Sequence, residues 1–371
     1  MPSDLIVDST KVKKISFHPN ADKLELSTVK GWQVVVQKDS LKAGDIVYYF
    51  PPDCLIPRYI SKLMGVEQYL SFSKRYVKED SEMSLGRVKV IKLRKEISHG
   101  FIIKYKQVEN IAKELNIEID NDIIKAFNIE KWESPIRVGR YGFNIGKPKT
   151  KHPFFFKYTN IQNIRHFPDT FTKEDIIVIT EKIHGTNFRI AKVPHAKYKW
   201  YKPWTWGKEW VIGSHNVRKT VGKGGVYQLP LTSEMKSMVN YIAEYIRAKA
   251  IIVYGEVYGG DIQKLKYGKD KPDFIVFDIR IDGNFIGWNE IISYCTKFNI
   301  PTVPVLYKGG FSSWEHLEQL SKGKTTLMED GHIREGCVIK TIFSETNDTK
   351  RKIRKFISDD YLLRKNGTEF H

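Results

Sequence analysis

The chain has 371 residues, of which 41% are hydrophobic and 13% aromatic, and its 61 Lys and Arg outweigh 43 Asp and Glu for a net charge of +18. That composition can fill real cores, which excludes general disorder, and the length favours two domains over one. No run approaches the roughly 20 apolar residues of a membrane helix, and Met1-Pro2-Ser3-Asp4 lacks the features of a secretory signal, so the expected protein is soluble, intracellular (cytoplasmic or nuclear) and off the membrane. The cation excess points to a polyanionic partner, nucleic acid foremost, with a lysine-rich genome as the bland alternative. Three cysteines, Cys54, Cys295 and Cys337, lie far apart with no CxxC pair, which excludes a cysteine-rich zinc module.

Short β-branched and aromatic runs dominate the first hundred residues: 32–36, 46–50, 88–93 and 100–103. Gly44-Asp45 and Pro51-Pro52-Asp53 punctuate them as turns, and together they suggest a small barrel over 1–108. Trp32, Tyr48, Tyr49 and Phe50 are its aromatics, about half of them expected inside, and Lys89, Lys92, Arg94 and Lys95 give it a basic edge. Residues 109–152 turn polar and read as a connector, with Asp120-Asn121-Asp122 capping a short helix. From 153 to 371 the pattern is mixed. Strands are expected at 175–180, 188–192, 251–256, 274–281 and 336–342, and helices at 231–249, 289–297 and 312–322. Met235, Met238, Val239, Ile242, Tyr245 and Ile246 recur at helical spacing in the first helix, which reads as core with Thr232 or Ser233 as cap. A second aromatic and basic surface is expected around Trp200, Trp204 and Trp206.

Most catalytic signatures are absent. Gly323-Lys324-Thr325 lacks the first glycine of a phosphate loop, because position 318 is Glu, and no HExxH or GxSxG occurs. One segment stands apart: Glu181-Lys182-Ile183-His184-Gly185-Thr186-Asn187, between two strand patterns. By spacing alone Lys182 is an ordinary salt-bridged lysine. The order of the motifs C-terminal to it changes that: Tyr254-Gly255-Glu256, Phe277-Asp278-Ile279, Glu335 through Lys340, and Lys350-Arg351-Lys352-Ile353-Arg354-Lys355.

This series resembles the covalent nucleotidyltransferases, and Lys-x-His-Gly-Thr-Asn resembles their RNA-ligase branch. His18 through Glu25 and Lys30 through Val36 look like the OB domain of the ATP-dependent RNA ligases that carry that module first. The resemblance implies an α+β protein, an N-terminal OB-fold barrel followed by a nucleotidyltransferase domain of antiparallel sheets and flanking helices. It implies an ATP-dependent RNA ligase that joins 3′-OH and 5′-phosphate ends through lysyl-AMP, with Mg2+ or Mn2+. Carried over residue by residue, Lys182 is the nucleophile, and Glu335, Lys340 and Lys355 complete the catalytic set. Glu181, His184, Asn187, Glu256, Phe277 and Arg354 would hold ATP, Phe277 by stacking on adenine, while Glu335 and Glu256 would hold the metal. The residues Ser214-His215-Asn216 stand where relatives carry Ser-Arg-Asn, which leaves Arg218 or His215 for that contact. The expected partner is RNA, with a nicked duplex and an RNA–DNA hybrid among its open forms, and the expected state is a monomer. The alternatives are a capping-type guanylyltransferase and a non-catalytic RNA-binding OB protein.

Overall fold

The computed structural model describes residues 4–73, 76–77, 81–119, 122–132, 152–196, 201–203, 207–223, 225–260, 262–263, 265–329, 331–344, 351–364 and 367–368. Outside them lie Trp200, Trp204 and Trp206, Lys350, and residues 133–151 of the expected connector. The protein is α+β and divides into two compact units. One is built on Phe171–Ser358 with the stretch ending at Ile161; the other takes the N-terminal residues, Gln162–Thr170, and the segment from Asp359 onward.

The N-terminal unit has a five-stranded antiparallel sheet in the order Phe101–Lys104, Ile46–Phe50, Asp8–Phe17, Leu24–Val29, Trp32–Gln37. The two long early strands escape a hydrophobicity reading because Asp8–Phe17 is mostly Lys, Ser and Thr, with Val12 alone fully buried. All four barrel aromatics are buried, not half of them. Ile46–Phe50 is covered on both faces: Tyr49 packs near Trp32 at 5.9 Å, while Tyr48 stacks at 5.3 Å on Tyr105 of the helix Tyr105–Glu114. None of the four offers a surface to a base. The basic edge is exposed, and Arg94 and Lys95, both at positive φ, turn the hairpin Val90–Leu93/Glu96–His99.

The expected boundaries shift at both ends. Residues 109–132 do not act as a connector, because Ile111, Ala112, Ile123, Phe127 and Ile129 join the N-terminal core; Asp122 does cap its helix by accepting from Lys125 N. The last segment packs within the N-terminal unit. Asp359 lies 2.7 Å from His99 Nε2 and accepts from Arg165 at 2.9 Å, Arg87 donates to Gly367 O at 2.7 Å, and Thr368 donates to Asp53 at 2.8 Å. The apolar triplet Tyr361-Leu362-Leu363 announces burial at the level of sequence, but not against which unit.

The second unit holds two antiparallel sheets. The first runs Val305–Gly310, Ile176–Glu181, Gly336–Thr341, Ile353–Ile357; the second contains Lys208–Ser214, Thr186–Pro194, Ile251–Tyr258 and Asp273–Ile281 side by side. Ile251–Tyr258 is buried at every position, as a central strand with both faces covered must be. Helix Ser233–Tyr245, capped by Thr232, buries Met235, Met238, Val239 and Ile242. Tyr245 and Ile246, expected in that stripe, are exposed at the helix's C-terminal end.

Candidate active site

Strand register decides which side chains meet. Lys340 pairs with Val178 and Ile353, and Lys355 pairs with Val338, while Lys182 N donates to Gly336 O just past the strand end. Side chains alternate along each strand, so Lys182, Lys340 and Lys355 share one face of the four-stranded sheet. That face also carries Thr180, Val338 and Ile353, which line a cleft with Glu181, Lys182, Ile183, Lys340, and, from the other sheet, Glu256 and Phe277. Arg354 pairs with Ile339 and so points to the opposite face. The expectation that it holds nucleotide does not fit this orientation, whereas Lys355, a fully buried lysine, shares the face of Lys340.

Two backbone irregularities complete the site. Glu335 would face away from Lys340 in a regular strand. It sits instead just before Gly336, which has φ 154 and approaches Phe356 O so closely that an added Cβ would lie 2.1 Å from it. From there Glu335 meets Lys182 Nζ at 2.5 Å through Oε1 and His184 Nδ1 at 3.0 Å through Oε2, all three groups being buried. The second irregularity is a bulge. Gly255 pairs with Val276 but Tyr254 with Asp278, leaving Phe277 as the extra residue that the bulge turns toward the cleft. Tyr158 lies 4.9 Å from its ring and donates to Asp278 at 2.7 Å.

Asp278 organises the far side of the cleft. Its Oδ2 receives Lys340 Nζ at 3.1 Å and Arg351, and Lys340 also donates to Phe277 O at 2.9 Å. Burial alone would raise the Asp278 carboxyl, but Arg351 and Lys340 outweigh it and hold it below the usual carboxylate range. Glu256 has the reverse balance. Burial pushes its carboxyl up to about 7, Lys182 opposes, and Glu335 adds repulsion. Glu256 is the cross-strand partner of Asn187, whose buried amide nitrogen and oxygen both lack a hydrogen bond among the described residues. Gly185 lets the loop close against this pair, since a Cβ there would meet Val257 O at 2.2 Å and Glu256 Cγ at 2.9 Å. Glu181 takes two hydrogen bonds from Thr326 at 2.8 Å on one oxygen, while its other oxygen is buried without one.

Neither His215 nor Arg218 lines the cleft. Arg218 is paired with Glu209 at 3.0 Å, and burial lowers the His215 imidazole to about 4. Tyr158, Asp278, Arg351 and Tyr267, whose hydroxyl accepts from His184 N at 2.7 Å, are site residues to which the sequence reading gave no role. Asp278 and Arg351 sit inside recognisable motifs and are legible there; Tyr158 lies in an irregular stretch with no signal of its own.

The arrangement is an amine beside a carboxylate, two further lysines on the same face, and an aromatic wall opposite. Residues 175–357 match the family described as RNA ligase, and residues 6–105 match the PHA02142 OB-fold domain. Residues 175–357 form an RNA ligase domain. This RNA ligase has a fold shared with Naegleria gruberi RNA ligase solved with PPi, at a TM-score of 0.73 and 19% identity over 97% of this chain and 98% of that one. A point mutant of the same Naegleria enzyme solved with ATP and Mn gives a TM-score of 0.74 at 18% identity, over 97% and 98%. Another, with AMP and Mn, gives 0.73 at 19%, over 97% and 98%. No curated protein matches the ligase by sequence. No helix among its described residues is long and apolar enough to cross a membrane.

Proposed function

We propose that this RNA ligase works with ATP, taking AMP onto Lys182 and passing it to a 5′-phosphate end that a 3′-OH then attacks. The observation that carries this is the Lys182–Glu335 pair, set on the same sheet face as Lys340 and Lys355. Lys182 Nζ must give up a proton to attack as a nucleophile. Glu335 Oε1, 2.5 Å away, is placed to take the proton. The neutral amine forms an N–P bond to the α-phosphorus as the bond to pyrophosphate oxygen breaks, so AMP stays on Lys182 and pyrophosphate leaves. Lys340 and Lys355 supply fixed positive charge on that face for the phosphoryl oxygens, and Phe277 supplies a ring for adenine.

A divalent cation fits the donor set. Among the described residues no three His, Cys, Asp or Glu side chains form a metal cage, but Mg2+ and Mn2+ in such enzymes need only one or two carboxylates together with substrate phosphates. Glu256 and Glu335 would hold it, with the unpartnered Asn187 amide beside them; it would neutralise phosphate charge and disfavour the Lys182 ammonium.

The test is incubation with α-labelled ATP or GTP and magnesium or manganese. A mass increase of one AMP at Lys182, acid-labile and lost in Lys182→Ala, supports the reading; GTP labelling instead would make it a guanylyltransferase, and no adduct would leave a non-catalytic RNA binder. Sealing assays on nicked duplexes with RNA or DNA on each side address the finer substrate, and sedimentation addresses the monomer.

A further inference from the structure

The N-terminal unit carries a second cationic site that adenylyl transfer does not use. Its floor is the buried Asp53, whose oxygens are taken by Arg87 and, at 2.8 Å, by Thr368. Arg87 is fixed further by Gly367 O at 2.7 Å and by the Trp132 ring 3.5 Å from its guanidinium carbon. Exposed Lys89 and Arg364 line the same cavity, which measures about 190 Å³. That is smaller than the several hundred Å³ of pockets for drug-sized ligands, so it suits a compact anion rather than a whole nucleotide. Three cations against one carboxylate leave an excess of two positive charges. Lys89 makes no hydrogen bond or ion pair among the described residues, and burial together with the neighbouring Arg87 disfavours its ammonium, a penalty that an anion would relieve. Lys89 also lines a second, larger groove of about 850 Å³, together with Lys23, Lys104 and the exposed Tyr69.

We propose that the cavity between Lys89 and Arg364 binds a backbone phosphate of the RNA strand, with the adjoining groove carrying the strand onward past Tyr69. This rests on RNA being the substrate, yet it concerns binding alone. Charge complementarity selects the phosphate: a strand laid along a groove bearing lysines gains affinity by counterion release.

The experiment is RNA binding by the full chain without ATP, measured against salt for A-rich and U-rich strands. Lys89→Ala and Arg364→Ala should each weaken binding about three- to tenfold, equally for both sequences, and each lower the salt slope by about 0.7 to 0.9. Lys89→Arg should retain the parental slope, and Lys89→Glu, at an exposed position, should weaken binding further while unfolding at the parental denaturant concentration. An unchanged slope in the Lys89→Ala/Arg364→Ala double variant overturns the proposal, as does a loss confined to one sequence. Because no step needs lysyl-AMP, failure here and failure of adenylylation are separate results.

Discussion

Two buried charge clusters in this molecule are built on opposite principles. In the N-terminal unit, Asp359 is met by His99 and Arg165, and Asp53 by Arg87 and Thr368. Burial works against the Asp359 carboxyl, but His99 and Arg165 hold it well below the usual range. In the ligase unit, among the described residues, Glu256 makes no hydrogen bond or ion pair, and both amide atoms of Asn187 and one carboxylate oxygen of Glu181 have no hydrogen-bond partner. Leaving such groups dry and unpaired is destabilising by about 1–3 kcal/mol each. The first cluster is satisfied and holds a fold together; the second is left incomplete in the protein alone, and a nucleotide and cation would complete it.

The contrast can be broken from either side. Asp359→Asn strands a buried Arg165 beside His99, and denaturant unfolding should report a loss of about 3–5 kcal/mol. Lys340→Ala removes a cation from the phosphate-facing sheet; single-turnover adenylylation should slow about 10²- to 10³-fold with the far-ultraviolet spectrum retained. Glu256→Gln should do something no change in the first cluster can: stabilise the free protein while impairing catalysis. The folded Glu256 holds its proton up to about pH 7 whereas the unfolded one releases it near 4.5, so the folded state binds more protons in between and stability falls as pH rises through that window. Below pH 4.5 variant and parent should unfold alike; at pH 8 the variant should be more stable by about 3 kcal/mol, read by melts across pH. Asn187→Leu should raise stability by about 1 kcal/mol or more yet slow adenylylation at least tenfold. Smallest of all, Arg354→Gln should change the adenylylation rate less than about twofold, while Lys355→Ala abolishes most of it, since neighbouring residues of one strand face opposite ways.

Much of the ligase unit is legible in the sequence because its strands are short, continuous apolar runs and its chemistry sits at their ends. The family resemblance carried by the motifs picks out Lys182, His184, Glu256 and Glu335; Lys182 and Glu256 line the cleft, and Glu335 contacts both Lys182 and His184. Orientation is less legible. Alternation assigns Glu335 and Lys340 to opposite faces, and only the Gly336 conformation brings both to one site. Phe277 likewise depends on a bulge, a misfit between two strands that neither strand encodes alone. In the N-terminal unit the barrel is visible in the sequence, yet most of its buried polar contacts are not, because the partners lie far apart in the chain: 194 positions for Arg165 and Asp359, 260 for His99 and Asp359, and 315 for Asp53 and Thr368.

That separation has a consequence for biogenesis. Asp53 and His99 leave the ribosome early, but Asp359 and Thr368 arrive only after the whole ligase unit has been translated. Domains usually mature in the order they are made. Here the module made first must wait, with Asp53 and His99 lacking these late-arriving contacts, until residues 359–368 dock. A release at position 358, although it would retain every residue of the cleft, would leave the N-terminal module unfinished.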